Sequence, residues 1–192
     1  MRPRVLALLL ALLLLAAPAT TAPQFTPSVP TYNVFVASIA AANKDHLTVF
    51  NAAGSGVLLR VHRVAVGTVN TAAVVGAMIY FNVDKVTTAG TTCTAVTIRP
   101  YDSGNAALPA QVTSTANCTT DPTSAWTWSS CSISTEETLT QPGGQTQVCY
   151  ESQRAPDANP QPIILREGEG LGLKQTALAG AGTVGLWITF GR

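Results

Sequence analysis

Charged side chains are scarce in this sequence. Asp, Glu, Lys and Arg together make up 11% of its 192 residues, whereas an average soluble domain has about 25%. The formal net charge is +1, so the chain has no excess of basic residues to neutralise phosphates, and we expect no nucleic-acid partner. The 46% hydrophobic content and low charge also argue against a disordered chain.

Recognisable catalytic and cofactor motifs are also lacking. The sequence contains no P-loop, no dinucleotide-binding fingerprint and no zinc-protease helix. Gly54-Ser55-Gly56 is not the nucleophile elbow of a hydrolase. The two histidines, His46 and His62, fall on predicted strand faces, where we expect surface or edge residues rather than a general base. We therefore predict no catalytic residues, no cofactor and no enzymatic activity.

Metal-binding patterns are similarly weak. The cysteines have wide, irregular spacings without a CxxC pair, so we predict no metal site there. Glu167 and Glu169 lie two residues apart, which would suit half of a calcium site or of a glycosidase pair. No Asp-rich loop accompanies them, and the simpler interpretation of residues 167–170 is a solvated hairpin turn.

The N-terminus has the pattern of a signal peptide. Arg2 and Arg4 precede an apolar run over residues 5–17, and the small residues Ala17 and Ala19 offer a cleavage site. The run is too short for the ~20 residues of a membrane helix, although an uncleaved anchor is the alternative. We expect a signal peptide over residues 1–19, a Pro/Thr-rich extended leader over 20–31, and a secreted or cell-surface product with no membrane span after cleavage.

Four cysteines, an even number, predict two disulfides in an exported chain: Cys93, Cys118, Cys131 and Cys149. Three pairings are possible. The loop between Cys118 and Cys131 is short, which favours a local Cys118–Cys131 bridge and leaves Cys93 with Cys149.

Period-two alternation of apolar and polar residues runs through most of residues 32–192. Strand candidates are 32–39, 46–51, 57–69, 78–86, 94–98, 126–133, 148–151, 163–165, 171–175 and 184–190. In the longest candidate the phase slips at Arg63, as a β-bulge would cause. Short strands separated by turn residues predict one all-β domain, a jelly-roll β-sandwich of about 8 to 10 strands.

Trp126 and Trp128 are the strongest candidates for a binding site. They lie two residues apart on a predicted strand, so one strand face carries both rings. Such a pair forms a platform for sugar rings in carbohydrate-binding sandwiches. Core packing is the alternative, and residue statistics favour it.

Three segments carry a resemblance to known proteins: 46–56 (HLTVFNAAGSG), 102–110 (DSGNAALPA) and 162–171 (PIILREGEGL). In these turn and strand patterns the chain resembles small β-sandwich proteins common among bacteriophage structural proteins and related bacterial proteins of unknown function. The resemblance implies a structural role and supplies no functional residues. The signal peptide and cysteines depart from a phage particle protein, which assembles in a reducing cytoplasm.

Three functions follow from these patterns, in order of preference. The first is a secreted, non-enzymatic structural or interaction protein that self-associates, for example as a subunit of a cell surface, filament or particle. The second is a carbohydrate-binding module that takes a cell-surface glycan on Trp126 and Trp128. The third is a small secreted hydrolase, ranked last because no nucleophile, base and orienting group can be assembled.

Overall fold

The structure, a computed structural model, describes residues 29–70, 75–136, 145–152, 162–176 and 182–192. These residues form strands and no helix, which confirms the all-β prediction. Within these ranges no helix is long and apolar enough to cross a membrane. The predicted signal peptide and residues 20–28 of the predicted leader lie outside the described residues.

Twelve strands are present in the described part of the chain. In chain order they are β1 (Thr31–Ile39), β2 (Lys44–Asn51), β3 (Leu59–Thr68), β4 (Met78–Val86), β5 (Thr94–Ala95), β6 (Arg99–Pro100), β7 (Val112–Ala116), β8 (Ser124–Ser134), β9 (Thr146–Glu151), β10 (Ile163–Leu165), β11 (Glu169–Gln175) and β12 (Thr183–Gly191). The prediction located ten of these to within a few residues and missed the short β6 and β7.

The strands form two six-stranded sheets in a jelly-roll arrangement. The first sheet runs β10-β3-β12-β1-β6, with β9 beside β10 on the same side of β3. The second runs β5-β7-β2-β11-β4-β8. When the short strands β5, β6, β7 and β10 are left out, the strand orders are β9-β3-β12-β1 and β8-β4-β11-β2. In each sheet, strands from the first half of the chain (β1–β4) therefore alternate with strands from the second half (β8–β12). This interleaving of two Greek keys is the jelly-roll topology, and the predicted fold class is confirmed.

The core lies between the inner faces of the two sheets. Alternate residues of each main strand point inward, as in β4, where Ile79, Phe81 and Val83 are fully buried. The largest fully buried apolar side chains come from both sheets: Tyr32, Leu47, Leu59, Ile79, Phe81, Leu165, Leu171, Leu173, Leu186, Ile188 and Phe190. Two apolar layers facing each other exclude water and provide the main stabilisation of the fold.

The predicted β-bulge is confirmed in β3. Opposite β12, Arg63 pairs with Thr189 and Val61 pairs with Phe190, so His62 has no cross-strand partner in β12. The extra residue shifts the inward positions from Leu59 and Val61 to Val64 and Val66, all of which are fully buried. One bulge therefore keeps both halves of a long strand packed on the same core.

The segment 167–170 makes a tight turn but not the predicted hairpin. The backbone N–H of Glu169 donates to the carbonyl of Arg166 at 3.0 Å, and Gly168 has a positive φ of 79°. The strands on either side, β10 and β11, belong to different sheets. The turn is a sheet-to-sheet crossover, because β10 extends the edge beside β3 while β11 inserts between β2 and β4.

Two disulfides are present, which confirms their number, but the predicted pairing is wrong. Cys93 is bonded to Cys118 and Cys131 to Cys149. The first follows from strand pairing, because Thr94 lies opposite Ala116, which brings Cys93, one residue before Thr94, close to Cys118, two residues after Ala116. The second joins β8 of one sheet to β9 of the other. Two disulfides are typical of proteins in an oxidising, extracytoplasmic compartment.

The Cys93–Cys118 disulfide joins two loops, 87–93 and 117–123, which we call the stapled loops. They are also connected by backbone hydrogen bonds between Thr91 and Thr120. Lys44 anchors them to β2, since its ammonium donates to the carbonyl of Cys118 and contacts the Asp121 carboxylate at 2.8 Å. The stapled loops therefore fix the entry of the chain into β8.

Candidate functional site

An open cleft of about 540 Å³ lies where the two sheets part at their β8 and β9–β10 edges. One wall comes from the second sheet and carries the two predicted tryptophans. The opposite wall comes from β9 and β10. The lining residues are Lys85, Trp126, Trp128, Tyr150, Pro162, Ile163, Ile164, Arg166 and Glu169. This volume falls within the range of about 300–1,000 Å³ that is typical of small-ligand sites.

Irregular pairing of β8 brings the two tryptophans into the cleft. Opposite β4, Asp84 pairs with Thr127 and Val83 with Ser129, so Trp128 is the extra residue of a bulge. A second irregularity lies just before Trp126. The two rings meet edge to face, with centroids 6.1 Å apart and planes at 85°, which is a favourable aromatic geometry.

The two tryptophans differ in exposure. Trp126 remains 52% exposed, so the preferred interpretation of core packing is wrong for this residue. Trp128 is half-buried and packs against the core. Trp128 therefore supports the ring of Trp126, and Trp126 offers the indole surface that a ligand would contact.

A short chain of charged groups holds Trp126 in place. Lys85 is the cross-strand partner of Trp126, and its ammonium lies 4.2 Å from the centroid of the indole ring, within the range of a cation–π interaction. The same ammonium pairs with the Glu169 carboxylate at 2.5 Å. The other oxygen of Glu169 accepts a hydrogen bond from the backbone N–H of Arg166 at 2.9 Å. The protein's own contacts thus hold Trp126, Lys85 and Glu169 in position before any ligand binds.

The pKa of Glu169 reflects this arrangement. Burial favours the neutral acid and would raise the pKa. The hydrogen bonds from Lys85 and from the backbone of Arg166, with the positive charges of both side chains, outweigh burial and hold the pKa below its ordinary value. Glu169 is therefore an ionised structural anion with both oxygens engaged.

The β9–β10 wall is fixed to the tryptophan wall. The hydroxyl of Tyr150 accepts a hydrogen bond from the backbone N–H of Ile163 at 2.9 Å, which ties β9 to the start of β10. The Cys131–Cys149 disulfide joins β8 to β9 directly beside this contact. Cys149 itself has no partner in β3, because Val64 pairs with Tyr150 and Ala65 with Val148. This bulge turns its side chain toward the core, where it reaches Cys131.

A contact between a serine and a histidine does exist, although the sequence did not reveal it. The Ser38 hydroxyl lies 2.8 Å from Nδ1 of His46, and the side-chain oxygen Oε1 of Gln175 lies 3.1 Å from Nε2. His46 is fully buried and Ser38 nearly so, so the expectation of a surface or edge position is wrong for His46. Burial lowers the pKa of His46, and the hydrogen bond to Gln175 only partly opposes this shift. The neutral ring serves as a polar tie between β1, β2 and β11, closed to substrate.

Glu167 has a structural role at the crossover turns. Its carboxylate accepts backbone N–H groups of Gly56 at 2.7 Å and Gly54 at 3.1 Å. These hydrogen bonds hold the pKa of Glu167 below its ordinary value. They connect the β10–β11 turn to the β2–β3 turn, so Glu167 and Glu169 face different partners. Within the described ranges, no three His, Cys, Asp or Glu side chains are grouped to hold a metal ion.

A second concavity, of about 480 Å³, lies at the opposite open edge of the sandwich. Its lining is mainly apolar and includes Tyr32, Val96, Ile98, Leu108 and Val112. It lacks both an exposed aromatic platform and charged side chains in its lining. A third concavity, of about 380 Å³, is lined by Arg63, Tyr101 and Trp187 among others. The cleft at Trp126 differs from both in combining a half-exposed indole with two basic side chains and a carboxylate. Comparisons of the chain with models of protein families, with curated proteins and with solved structures found no match.

Proposed function

We propose that this protein is a non-enzymatic, extracytoplasmic binding protein that recognises a carbohydrate in the cleft at Trp126. The observation that carries the proposal is the half-exposed indole of Trp126, fixed by Lys85 and Trp128 in the wall of an open cleft. A fixed aromatic surface beside hydrogen-bonding groups is the combination that sugar recognition requires.

The chemistry of the cleft suits a pyranose ring. The C–H groups on one face of such a ring pack on an indole, and burial of this apolar surface favours binding. The hydroxyls at the ring edge need donors and acceptors within reach. Lys85 has N–H groups beyond the one it gives to Glu169, and Arg166 offers a fork of donors at the same cleft.

Glu167, Glu169 and His46 support a structural rather than a catalytic role. Both oxygens of Glu169 are engaged, and Glu167 is held by the β2–β3 turn. His46 is closed to solvent. A general acid or base must reach the reacting group of a substrate, and none of these three side chains has that freedom.

Export is the second part of the proposal. The two disulfides support an oxidising compartment, and the N-terminal pattern supports a cleaved signal peptide over residues 1–19. In such a compartment the accessible carbohydrates are those of cell surfaces and of the extracellular matrix. Expression with the native N-terminus, followed by N-terminal sequencing of the exported product, tests this part.

The experiment is a calorimetric titration of the mature protein with a panel of neutral and acidic oligosaccharides. We expect at least one class to bind, and Trp126→Ala to reduce its affinity by about tenfold or more, because a central aromatic anchor dominates a small binding site. Trp128→Phe, which keeps an aromatic support, should cost less.

Trp187 provides the matched control. It lies on the outer face of the first sheet, where it contacts Phe35 at a centroid distance of 5.0 Å, and Trp187→Phe should leave glycan affinity unchanged. Circular dichroism of each variant separates lost binding from lost folding. A folded protein that binds no oligosaccharide of either class, or binds one equally well without Trp126, would overturn the proposal.

Self-association is the second candidate function, and an exposed apolar surface favours it. On the outer side of the first sheet, Phe35, Ile39 and Tyr101 are 43%, 76% and 67% exposed, beside Trp187. Exposed apolar patches often mark contacts between proteins. The resemblance to phage structural proteins would suit the same role, with a second copy of this chain as the partner.

Sedimentation velocity over a hundredfold concentration range tests this candidate. We expect a concentration-dependent shift to larger species, reduced by Phe35→Ser if the sheet face is the contact and by removal of residues 20–30 if the leader is. A monomer at every concentration would remove self-association and leave the glycan proposal standing.

A further inference from the structure

The charges in the cleft at Trp126 do not cancel. Lys85, Arg166 and Glu169 are the charged residues that line it, and the Glu169 carboxylate is already neutralised by Lys85 at 2.5 Å. Within the described residues, the Arg166 guanidinium has no carboxylate within salt-bridge distance. The lining therefore carries one positive charge in excess.

Neighbouring acidic residues on the described strands do not remove this excess. Glu151 follows Tyr150 in β9, but it is the cross-strand partner of Arg63 on β3. Glu167 is turned to the backbone N–H groups of Gly54 and Gly56. Arg166 is thus an exposed cation just after β10 that makes no salt bridge within the described residues, although its charge also acts on the Glu169 carboxylate that Lys85 already binds.

The position of Arg166 is fixed although its side chain is exposed. Its backbone N–H donates to the same Glu169 carboxylate that holds Lys85, so Arg166 and the Trp126 platform share one anchor. A guanidinium fork binds a planar carboxylate through two parallel hydrogen bonds, a match that a neutral hydroxyl does not provide.

We infer that the cleft selects glycans that carry a carboxylate, such as uronic acids, with one sugar ring on Trp126 and the carboxylate on Arg166. This inference rests on the proposed glycan binding. It adds the chemical class of the ligand and names Arg166 as the residue that determines it.

The test compares each acidic oligosaccharide with its own methyl ester, which keeps the ring and removes the charge. The probes are oligogalacturonates and oligoglucuronates, with neutral galactose and glucose oligomers beside them. We expect the acid to bind about tenfold or more tighter than the ester at low ionic strength, since charge-assisted hydrogen bonds are the strong ones. Added salt should weaken the binding of the acid and leave that of the ester unchanged.

Arg166→Gln should bring the affinities for acid and ester together, whereas Trp126→Ala should weaken both. Arg166→Lys, which keeps the charge and loses the fork, should retain only part of the preference. Arg99→Gln is the matched control, because Arg99 is exposed on β6, away from the cleft lining. It should leave the preference intact.

Two negative outcomes are distinct. If neutral oligosaccharides and esters bind through Trp126 as tightly as the acids, and Arg166→Gln changes nothing, the inference is overturned while the glycan proposal stands. If no member of the panel binds in a way that depends on Trp126, both are overturned.

Discussion

Asp45 makes the stability of this protein depend on pH in a direction opposite to that of most carboxylates. The residue lies at the start of β2 and is only 1% exposed, and neither carboxylate oxygen has a hydrogen-bond partner in the described part of the chain. A Cβ atom at Gly172 would lie 2.7 Å from its Oδ1 and 3.1 Å from Cγ1 of Val86. The carboxylate thus occupies the space left by the absent side chain of a glycine, beside an apolar residue.

This environment raises the pKa of Asp45 from 3.8 to about 7. Burial is the largest cause; Lys174 opposes it, and the charges of Asp121 and Asp84 add to it. In the folded state the group keeps its proton up to about pH 7, whereas in the unfolded chain it loses the proton near pH 3.8. The free energy of unfolding therefore falls as pH rises between these values, by about 4 kcal/mol at 1.36 kcal/mol per pKa unit.

Asp45→Asn removes the titration and nearly keeps the shape. We expect the variant to match the wild type at pH 4, to become more stable than it between pH 4 and 7, and to exceed it by about 4 kcal/mol above pH 7. Urea denaturation of the oxidised protein at constant ionic strength measures the difference. Glu136→Gln, at an exposed residue, controls for net charge. A difference between variant and wild type that is constant with pH, or that grows toward acid, would refute this reasoning.

Three further predictions concern stability. Replacing Cys131 and Cys149 together by serine should lower the free energy of unfolding by about 3 kcal/mol, as loop-closure entropy predicts for the 18-residue separation; a non-reducing peptide map should recover this pair from the wild type. Because burial holds the pKa of His46 below 6.5, the contribution of His46 to stability should fall as pH drops below about 6.5, where the unfolded chain takes up the proton, opposite in sign to that of Asp45; in acid denaturation of the Asp45→Asn protein, His46→Asn should lessen this fall. Gly172→Ala should destabilise by about 1–3 kcal/mol in thermal unfolding, because the added Cβ would overlap the Asp45 carboxylate; an unchanged melting temperature would contradict the packing described here.

The sequence was most informative where one sheet face is buried. Strand β4 was predicted with its observed bounds, since Ile79, Phe81 and Val83 alternate strictly with polar residues. The bulge in β3 was predictable for the same reason: the inward pattern shifts by one residue at Arg63. β7 was missed because its inward positions include Ser114 and Ala116, whose small side chains give a weak hydrophobic signal.

Features that depend on which strands become neighbours could not be predicted. The disulfide pairing follows from β5 lying beside β7 and from β8 approaching β9, and neither arrangement can be read from cysteine spacing. The 167–170 turn has hairpin composition, yet local composition does not determine whether the next strand stays in the same sheet.

The candidate site was predictable only in part. The spacing of Trp126 and Trp128 indicated a shared face, but two irregularities in β8 decide that one ring is exposed and the other packed. Lys85, Arg166 and Glu169 join the site through the pairing of β4 with β8 and β11 and through the crossover after β10, so their position beside the tryptophans could not be predicted. Glu169 drew attention only through its spacing from Glu167, as half of a calcium site or of a glycosidase pair. His46 is buried because it is the extra residue of the β2–β11 bulge, between the pairs Leu47–Leu173 and Asp45–Lys174.

The central claim is that a carbohydrate binds on the exposed indole of Trp126. The most direct measurement is a titration followed by the indole N–H signals of the three tryptophans in a ¹⁵N correlation spectrum, assigned by single substitutions. Binding in the cleft predicts that the Trp126 signal shifts most, that of Trp128 shifts less, and that of Trp187 does not move. A shift confined to Trp187, or no shift at saturating acidic and neutral oligosaccharide, would contradict the claim.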